Sequence, residues 1–250
     1  MSPRSLCKPV RLDLFWRKVD RRLRVYGASR HGNFDDPLDE LVYIILSAQT
    51  ESYLYSRTFE ALRKAFNPWD LLLSETPHRI AKIIRYGGLA HKKAAYIKRS
   101  FHKILADTGS LSLVFLRNLP DSAVRQYLTS LPGVGAKTAA CVMLYSLGRP
   151  VFPVDTHIWR ISRRLGVAAP FAKPTDAQER ELEDTIPLSL RYRLHVNLLS
   201  HGQQTCTTYR PKCSGCVLAD LCPSRGERDR VWNDWRCPRG VWAQTPVRPC

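Results

Sequence analysis

A primary amine, a carboxylate and a glycine turn lie close together in this sequence. Residues 131–137 read Leu-Pro-Gly-Val-Gly-Ala-Lys, and residues 154–157 read Val-Asp-Thr-His. Gly133 and Gly135 reach backbone angles that other residues avoid, so successive N–H groups around Val134 can point at one anion. A helix predicted over Ala136–Leu147 adds the positive end of its dipole to that pull on phosphate. Lys137 falls in its first turn, where the dipole and partial burial disfavour the ammonium and favour the nucleophilic amine. Such a helix is roughly 18 Å long. Residues 148–154 can span up to about 23 Å, enough to return Asp155 towards Lys137. An amine and a carboxylate beside a phosphate grip point to chemistry at a sugar carbon.

Each of these residues also has a plainer use. The turn alone suits a non-catalytic phosphate-binding hairpin as well as an enzyme, and Lys137 can pair with phosphate without reacting. Asp155 is a fitting N-cap for a predicted helix over Thr156–Leu165, a role compatible with catalysis. His157, within the first turn of that helix, reads as structural.

Eight cysteines occur in the chain. Four of them, Cys206, Cys213, Cys216 and Cys222, form the pattern C-x6-C-x2-C-x5-C. Four thiolates in one tight loop suit a tetrahedral metal or a cubane iron–sulfur cluster. The basic N-terminus has no continuous apolar stretch of signal-peptide type, so a reducing, cytoplasmic setting is expected and disulfides are disfavoured. Zinc remains the chemical rival. Structural zinc sites usually pair two short cysteine knuckles, and here there is one, which favours iron–sulfur. Arg210 and Lys212 lie in the first gap and read on their own as solvated charges. Cys141 falls in an apolar helix and reads as a small core residue, while Cys7, Cys237 and Cys250 receive no role.

Lysine and arginine outnumber acidic residues 39 to 22, a formal net charge of +17. That excess favours a polyanionic partner, nucleic acid first. No segment approaches the roughly 20 apolar residues that span a bilayer. No strongly amphipathic basic helix with an exposed aromatic face suggests membrane binding. At 250 residues and 44% apolar composition the chain can bury a sizeable core.

The elements that must position these residues read as helices almost throughout. Asp36-Pro37 predicts an N-cap and first-turn proline for a helix to Leu46. Further helices are predicted over Tyr53–Phe66, from Thr76-Pro77 to Gly87-Gly88, and over Ala90–Ala106 with basic residues on one side. Asp121 is expected to cap the helix before the turn. Ala136–Leu147 should be a buried central helix. Thr175-x-x-Gln178 predicts a capping box, and Pro187 precedes the last helix before Cys206. No glycine-bounded series of alternating strands is seen, so the fold is expected to be all-α.

Residues 131–165 resemble the helix-hairpin-helix DNA glycosylase superfamily, and the lysine-containing form is similar to endonuclease III. The cysteine spacing is that of the [4Fe-4S] loop of endonuclease III-like enzymes, and two separate motifs stand here in the same order. The resemblance covers about residues 36–222. It implies a lysine matching Lys137 that attacks the sugar C1′ and expels a damaged base, and an aspartate matching Asp155 that stabilises positive charge on the sugar. The Schiff base formed then allows strand cleavage by β-elimination. Monofunctional relatives carry another residue where this chain has Lys137.

The resemblance further implies two helical domains with a DNA-binding cleft between them. These would be a six-helix barrel over 30–149 and a cluster domain over 150–222 completed by an N-terminal helix over 10–29. Residues 223–250 would be a C-terminal extension. Gly133, Val134 and Gly135 would grip phosphate, and Arg210 and Lys212 would meet the DNA backbone beside the cluster. Ser47-Ala48-Gln49 is similar to the family's Leu-Ser-Ala-Gln segment, whose glutamine enters the duplex opposite the lesion. Gly88-Leu89 with Lys93-Ala94 resembles the loop whose leucine wedges beside it.

The chain departs from endonuclease III in these two loops. Gln49-Thr50-Glu51-Ser52 replaces Gln-Ala-Thr-Asp, and His91-Lys92 stands where Asn-Ser is common. The expectation is therefore a monomeric base excision repair enzyme on double-stranded DNA, a bifunctional glycosylase and abasic-site lyase acting on oxidised pyrimidines. Uracil, mismatched thymine or mainly abasic-site cleavage are alternatives within the fold. A non-enzymatic DNA-binding protein is the alternative outside it.

Overall fold

A computed structural model describes residues 12–27, 33–169, 171 and 173–225, and these fold as helices and loops without a strand. The ten α-helices among the described residues are α1 (Leu12–Leu23), α2 (Pro37–Ser47), α3 (Ser52–Ala65), α4 (Pro77–Ile83), α5 (Ala90–Thr108), α6 (Asp121–Ser130), α7 (Ala136–Tyr145), α8 (Thr156–Arg164), α9 (Asp176–Asp184) and α10 (Arg191–Gln204). The fold class is thus all-α, as the sequence leads one to expect. None of these helices is long and apolar enough to cross a membrane. Cys7, Cys237 and Cys250, and nearly all of the 223–250 extension, lie outside the described residues.

The chain divides into two compact units, Arg30–Pro153 and the remainder. Within Arg30–Pro153, α2 is the central element. Leu38, Leu41, Val42, Ile44, Ile45 and Leu46 are all buried. A helix apolar on every side must be enclosed, and α2 packs against α3, α5 and α7. Its start is fixed locally. Pro37 occupies the first turn, and the Asp36 carboxylate accepts from the amides of Leu38 at 2.7 Å and Asp39 at 3.1 Å. Glu40, fully buried one turn on, takes hydrogen bonds from Asn33 Nδ2 at 2.6 Å and the Phe34 amide at 2.9 Å. Those donors offset the cost of burying a carboxylate.

In the other unit α10 is the core helix. Leu194, Val196 and Leu198 are fully buried, and α10 packs against α1 and α8. The nearly buried Asp20 of α1 receives Arg193 of α10 in a two-pronged ion pair of 2.6 and 2.8 Å. The capping box at Thr175 and Gln178 forms as predicted.

Three local expectations differ from the structure. α7 ends at Tyr145 rather than Leu147, because Leu147 and Arg149 donate their amides to Val142 and Met143 in a closing turn. Asp121 is the first residue of α6, not its cap. Pro120, in extended backbone, precedes the helix, and the Asp121 carboxylate pairs with Arg149 at 3.2 Å. The Thr76-Pro77 helix stops at Ile83, before a 3-10 turn at Arg85–Gly87.

The α2 cap has a measurable worth. Asp36→Ala leaves two first-turn amides without their acceptor, and the urea midpoint should fall by an amount equivalent to about 1 kcal/mol at unchanged slope.

Candidate active site and nucleic-acid interface

The hairpin turn between α6 and α7 is built by a close approach of backbone to ring. Gly133 lies at φ +81°, and a Cβ there would stand 2.3 Å from Tyr96 Cδ2. No other residue fits that contact or adopts that φ without strain. One turn along α5, the Ser100 hydroxyl donates to the Pro132 carbonyl at 3.1 Å. The turn closes when the Val134 amide donates to the Leu131 carbonyl at 3.1 Å.

That bond corrects one expectation. Val134 is 6% exposed and its amide is used inside the turn, so it anchors the turn instead of offering a donor to phosphate. The start of α7 has amides of its own to offer. Gly135 is its N-cap and supplies no side-chain acceptor, so the first-turn amides have no acceptor within the helix. Lys137 is half-buried in this turn, and from Ala139 to Tyr145 every residue of α7 is buried.

Asp155 belongs to the other unit, where it N-caps α8 by accepting from the Ile158 amide at 2.7 Å. It is half-buried. His157, read from sequence as structural, packs against α10. Its own Cβ lies against Gly202, where an added Cβ would come within 2.7 Å of it, and its Nδ1 is 3.1 Å from Arg160 Nη2.

Gln49 and Leu89 share a property that the sequence did not reveal. They are the two non-glycine residues of positive φ among the described residues, at 52° and 50°. Both are exposed, Leu89 at 49%. Gln49 follows the end of α2, and Leu89 is the N-cap of α5. Left-handed backbone costs about 1–2 kcal/mol for such residues, so surrounding bonds must hold it. Lys93 supplies three of them and is buried, which pulls its ammonium down to about 8. The Lys93-Ala94 motif was visible in the sequence, but not this use of it.

The four cysteines line one cavity together with Arg164, His201 and Leu218. Among the described residues no three His, Cys, Asp or Glu side chains are gathered closely enough to hold a single metal ion. Arg164 Nη1 lies 3.2 Å from Cys206 Sγ, and the Leu218 amide 3.4 Å from Cys216 Sγ. Arg164 also donates to the carbonyls of Thr207 at 2.8 Å and Thr208 at 3.0 Å. Arg160, one turn earlier on α8, holds the Gly202 carbonyl at 2.9 Å and that of Cys206 at 2.8 Å.

His201 accepts or donates at Tyr26 across 2.9 Å and faces Cys216 Sγ at 3.8 Å. Burial, then the charge of Arg160, lowers His201 to about 4, so its ring is neutral at ordinary pH. Burial pushes the Cys222 thiol up to about 11 and raises that of Cys216. Arg210 and Lys212 are exposed on this loop, beside Tyr209 at 87% exposure. Cys141 is a core residue of α7, as expected. Arg160, Arg164 and His201 escaped sequence reading. The available signal was the i, i+4 arginine pair on a strongly two-sided helix.

Residues 42–187 match the HhH-GPD superfamily of base excision DNA repair proteins. That span holds Gln49, Leu89, the hairpin, Lys137 and Asp155 and stops short of the four cysteines. The sequence is 35% identical to endonuclease III of Treponema pallidum over 73% of this chain and 81% of that one. It is 32% identical to endonuclease III of Buchnera aphidicola over 76% of this chain and 83% of the other. A solved non-covalent endonuclease III–DNA complex is similar in structure, with a TM-score of 0.72 at 27% identity, covering 84% of this chain and 94% of that one.

The hairpin contact has a direct test. Gly133→Ala must displace Tyr96 and also strain the backbone, so it should lose more than ~2 kcal/mol of unfolding free energy. Pairing it with Tyr96→Ala should leave only the backbone strain, about 1 kcal/mol relative to Tyr96→Ala alone. A urea double-mutant cycle reads the difference.

Proposed function

The chain belongs to the HhH-GPD superfamily of base excision DNA repair proteins, and we propose that it is a bifunctional DNA glycosylase and abasic-site lyase acting on oxidised pyrimidines. It is a DNA glycosylase of the endonuclease III type. The observation that carries the finer reading is the place of Lys137, half-buried in the first turn of α7 directly after the Gly133–Gly135 turn. First-turn amides and the helix dipole attract a DNA phosphate to that end. A phosphate held there would bring a nearby sugar within reach of the amine. The Lys137 nitrogen attacks C1′ as the C1′–N bond to the base breaks, and the base leaves with a proton. Ring opening then gives an iminium at C1′, and loss of a C2′ proton expels the 3′ phosphate. The Asp155 carboxylate offsets the positive charge that develops on the sugar. The enzyme acts on double-stranded DNA as a monomer, with Arg210 and Lys212 meeting the backbone.

Borohydride present during reaction converts the imine to a stable amine, so wild-type protein should become covalently attached to DNA holding an abasic site. Lys137→Ala should give no adduct and slow base release by roughly 100-fold or more. Asp155→Asn separates two roles, because asparagine caps a helix as well as aspartate does. It should slow base release while unfolding stability stays within about 0.5 kcal/mol. An adduct from Lys137→Ala equal to wild type would remove the nucleophile assignment. A panel of duplexes, each with one oxidised pyrimidine, uracil or mismatched thymine, decides the base.

The same reading gives Cys206, Cys213, Cys216 and Cys222 a [4Fe-4S] cluster to hold. The four thiols line one shared cavity, and a motif with one short cysteine knuckle suits a cubane better than a structural zinc ion. The Arg164 guanidinium and the Leu218 amide are donors of the kind that support anionic sulfur. Burial alone would keep the thiols of Cys216 and Cys222 protonated, and a bound metal supplies the charge that makes them thiolates. When bound, such a cluster braces the loop that carries Arg210 and Lys212. Anaerobically purified protein should contain about four irons and four sulfides per chain, and Cys222→Ser should lose most of both. Colourless protein with one zinc would overturn the assignment.

A further inference from the structure

Lys93 reaches backwards from the first turn of α5 into a space closed by the ends of two loops. Its ammonium donates to the Leu46 carbonyl at 2.7 Å, the Gly87 carbonyl at 2.6 Å and the Thr50 hydroxyl at 2.7 Å. Three acceptors match the three donors of a lysine. Leu46 lies in the last turn of α2, where carbonyls have no partner within the helix and a cation is favoured by the dipole. The Thr50 hydroxyl in turn donates to the Gly87 carbonyl. Gly88 lies over the Gln49 carbonyl, which a Cβ at 88 would meet at 3.7 Å. The Lys93 amide completes the ring by donating to the Leu89 carbonyl at 3.0 Å.

One side chain, 3% exposed, therefore touches both sides of a closed circuit running Leu46, Gln49, Thr50, Gly87, Leu89 and back to itself. Gln49 and Leu89 sit on that circuit with strained positive φ and with side chains in solvent.

We propose that Lys93 is a positioning residue that locks the Ala48–Thr50 and Gly87–Leu89 turns into one rigid element, so that Gln49 and Leu89 enter the damaged site together in a preformed geometry. The inference rests on the reading of these two loops as the lesion-facing ones. Preformed loops raise affinity where the duplex is disrupted and add little on intact duplex, where neither side chain has a gap to fill.

The test compares affinity for a duplex containing one tetrahydrofuran abasic analogue with affinity for the same duplex undamaged. Amide hydrogen exchange at residues 48–50 and 87–89 is measured alongside. Lys93→Met should speed exchange in both segments and lower the affinity ratio about tenfold, with undamaged-duplex affinity within about twofold of wild type. Thr50→Val, which removes one of the three acceptors, should move both readouts in the same direction by about threefold and serves as the test if Lys93→Met does not fold. An unchanged ratio in a folded variant would overturn the clamp, even with faster exchange. Gln49→Ala and Leu89→Ala locate the fault. If they lower the ratio while Lys93→Met and Thr50→Val do not, the clamp alone is wrong. If they too leave it unchanged, the loops do not face the lesion, and the clamp falls with that reading.

Discussion

Gly133 presses its α-carbon against the ring of Tyr96, and through that contact α5 sets the geometry of the Arg30–Pro153 unit's functional end. The hairpin turn cannot rise from α5, because Ser100 holds the Pro132 carbonyl one turn beyond the ring. It cannot sink either, because the ring occupies the space a methyl group would need. Lys92 and Arg99 lie over the Tyr96 ring at 5.7 and 5.4 Å, so the ring that supports the turn also gathers two cations beside it. The same helix begins at Leu89 and carries Lys93. One stiff rod of 19 residues thus fixes the spacing between the hairpin turn and two exposed loop tips. Neither feature could shift without bending α5.

A second regularity runs through both units. Basic side chains that leave a helix are buried against the carbonyls of a neighbouring loop. Lys93 does this for two loops of one unit, and Arg160 and Arg164 do it for the segment from Gly202 to Thr208 in the other. A loop without regular structure has carbonyls to satisfy, and a cation satisfies several at once at about 1.5–3 kcal/mol per bond. It also fixes their spacing. The cations used in this way are withdrawn from the surface, yet a formal charge of +17 leaves many to attract polyanions. Basic residues here divide between builders of loops and contacts for a partner, which net charge alone does not distinguish.

That division explains what could be read in the sequence. Local rules were legible: the Asp36-Pro37 start, the Thr175–Gln178 capping box and the apolar runs of α2 and α7 each depend on near neighbours in the chain, whereas the hairpin glycines were legible as a turn but not for the distant Tyr96 ring that requires glycine at 133. The four cysteines were legible as a group by their type and spacing, and they line one cavity. Lys93 was not, since its partners at Leu46 and Thr50 are more than 40 residues away and a lysine in a basic helix looks solvated. Arg160 and Arg164 were hidden for the same reason. The positive φ of Gln49 and Leu89 was hidden too, because nothing in the composition of either loop demands it. Asp121 misled because a helix-start aspartate also serves a distant arginine. Local chemistry announces itself, while long-range polar contacts depend on a fold that must already be known.

The two kinds of residue also differ in how freely they can change. Lys137 sits on a helix whose remaining length is enclosed by core, so its position is secured by many apolar contacts at once. Gln49 and Leu89 stand at helix ends, held in strained backbone by a few hydrogen bonds. Endonuclease III commonly has alanine where this chain has Thr50, and alanine can neither accept from Lys93 nor donate to Gly87. The Thr50 hydroxyl therefore adds to the circuit two bonds that an alanine-bearing loop lacks. A loop with more internal bonds can carry a less favourable backbone at its tip, and hence present its exposed side chain at a different angle. Changes at Thr50 can thus alter how the loop tips are presented without disturbing the first turn of α7. Lys137 is tied to the core, while Gln49 and Leu89 are tied to a hydrogen-bonded ring that a single hydroxyl can tighten.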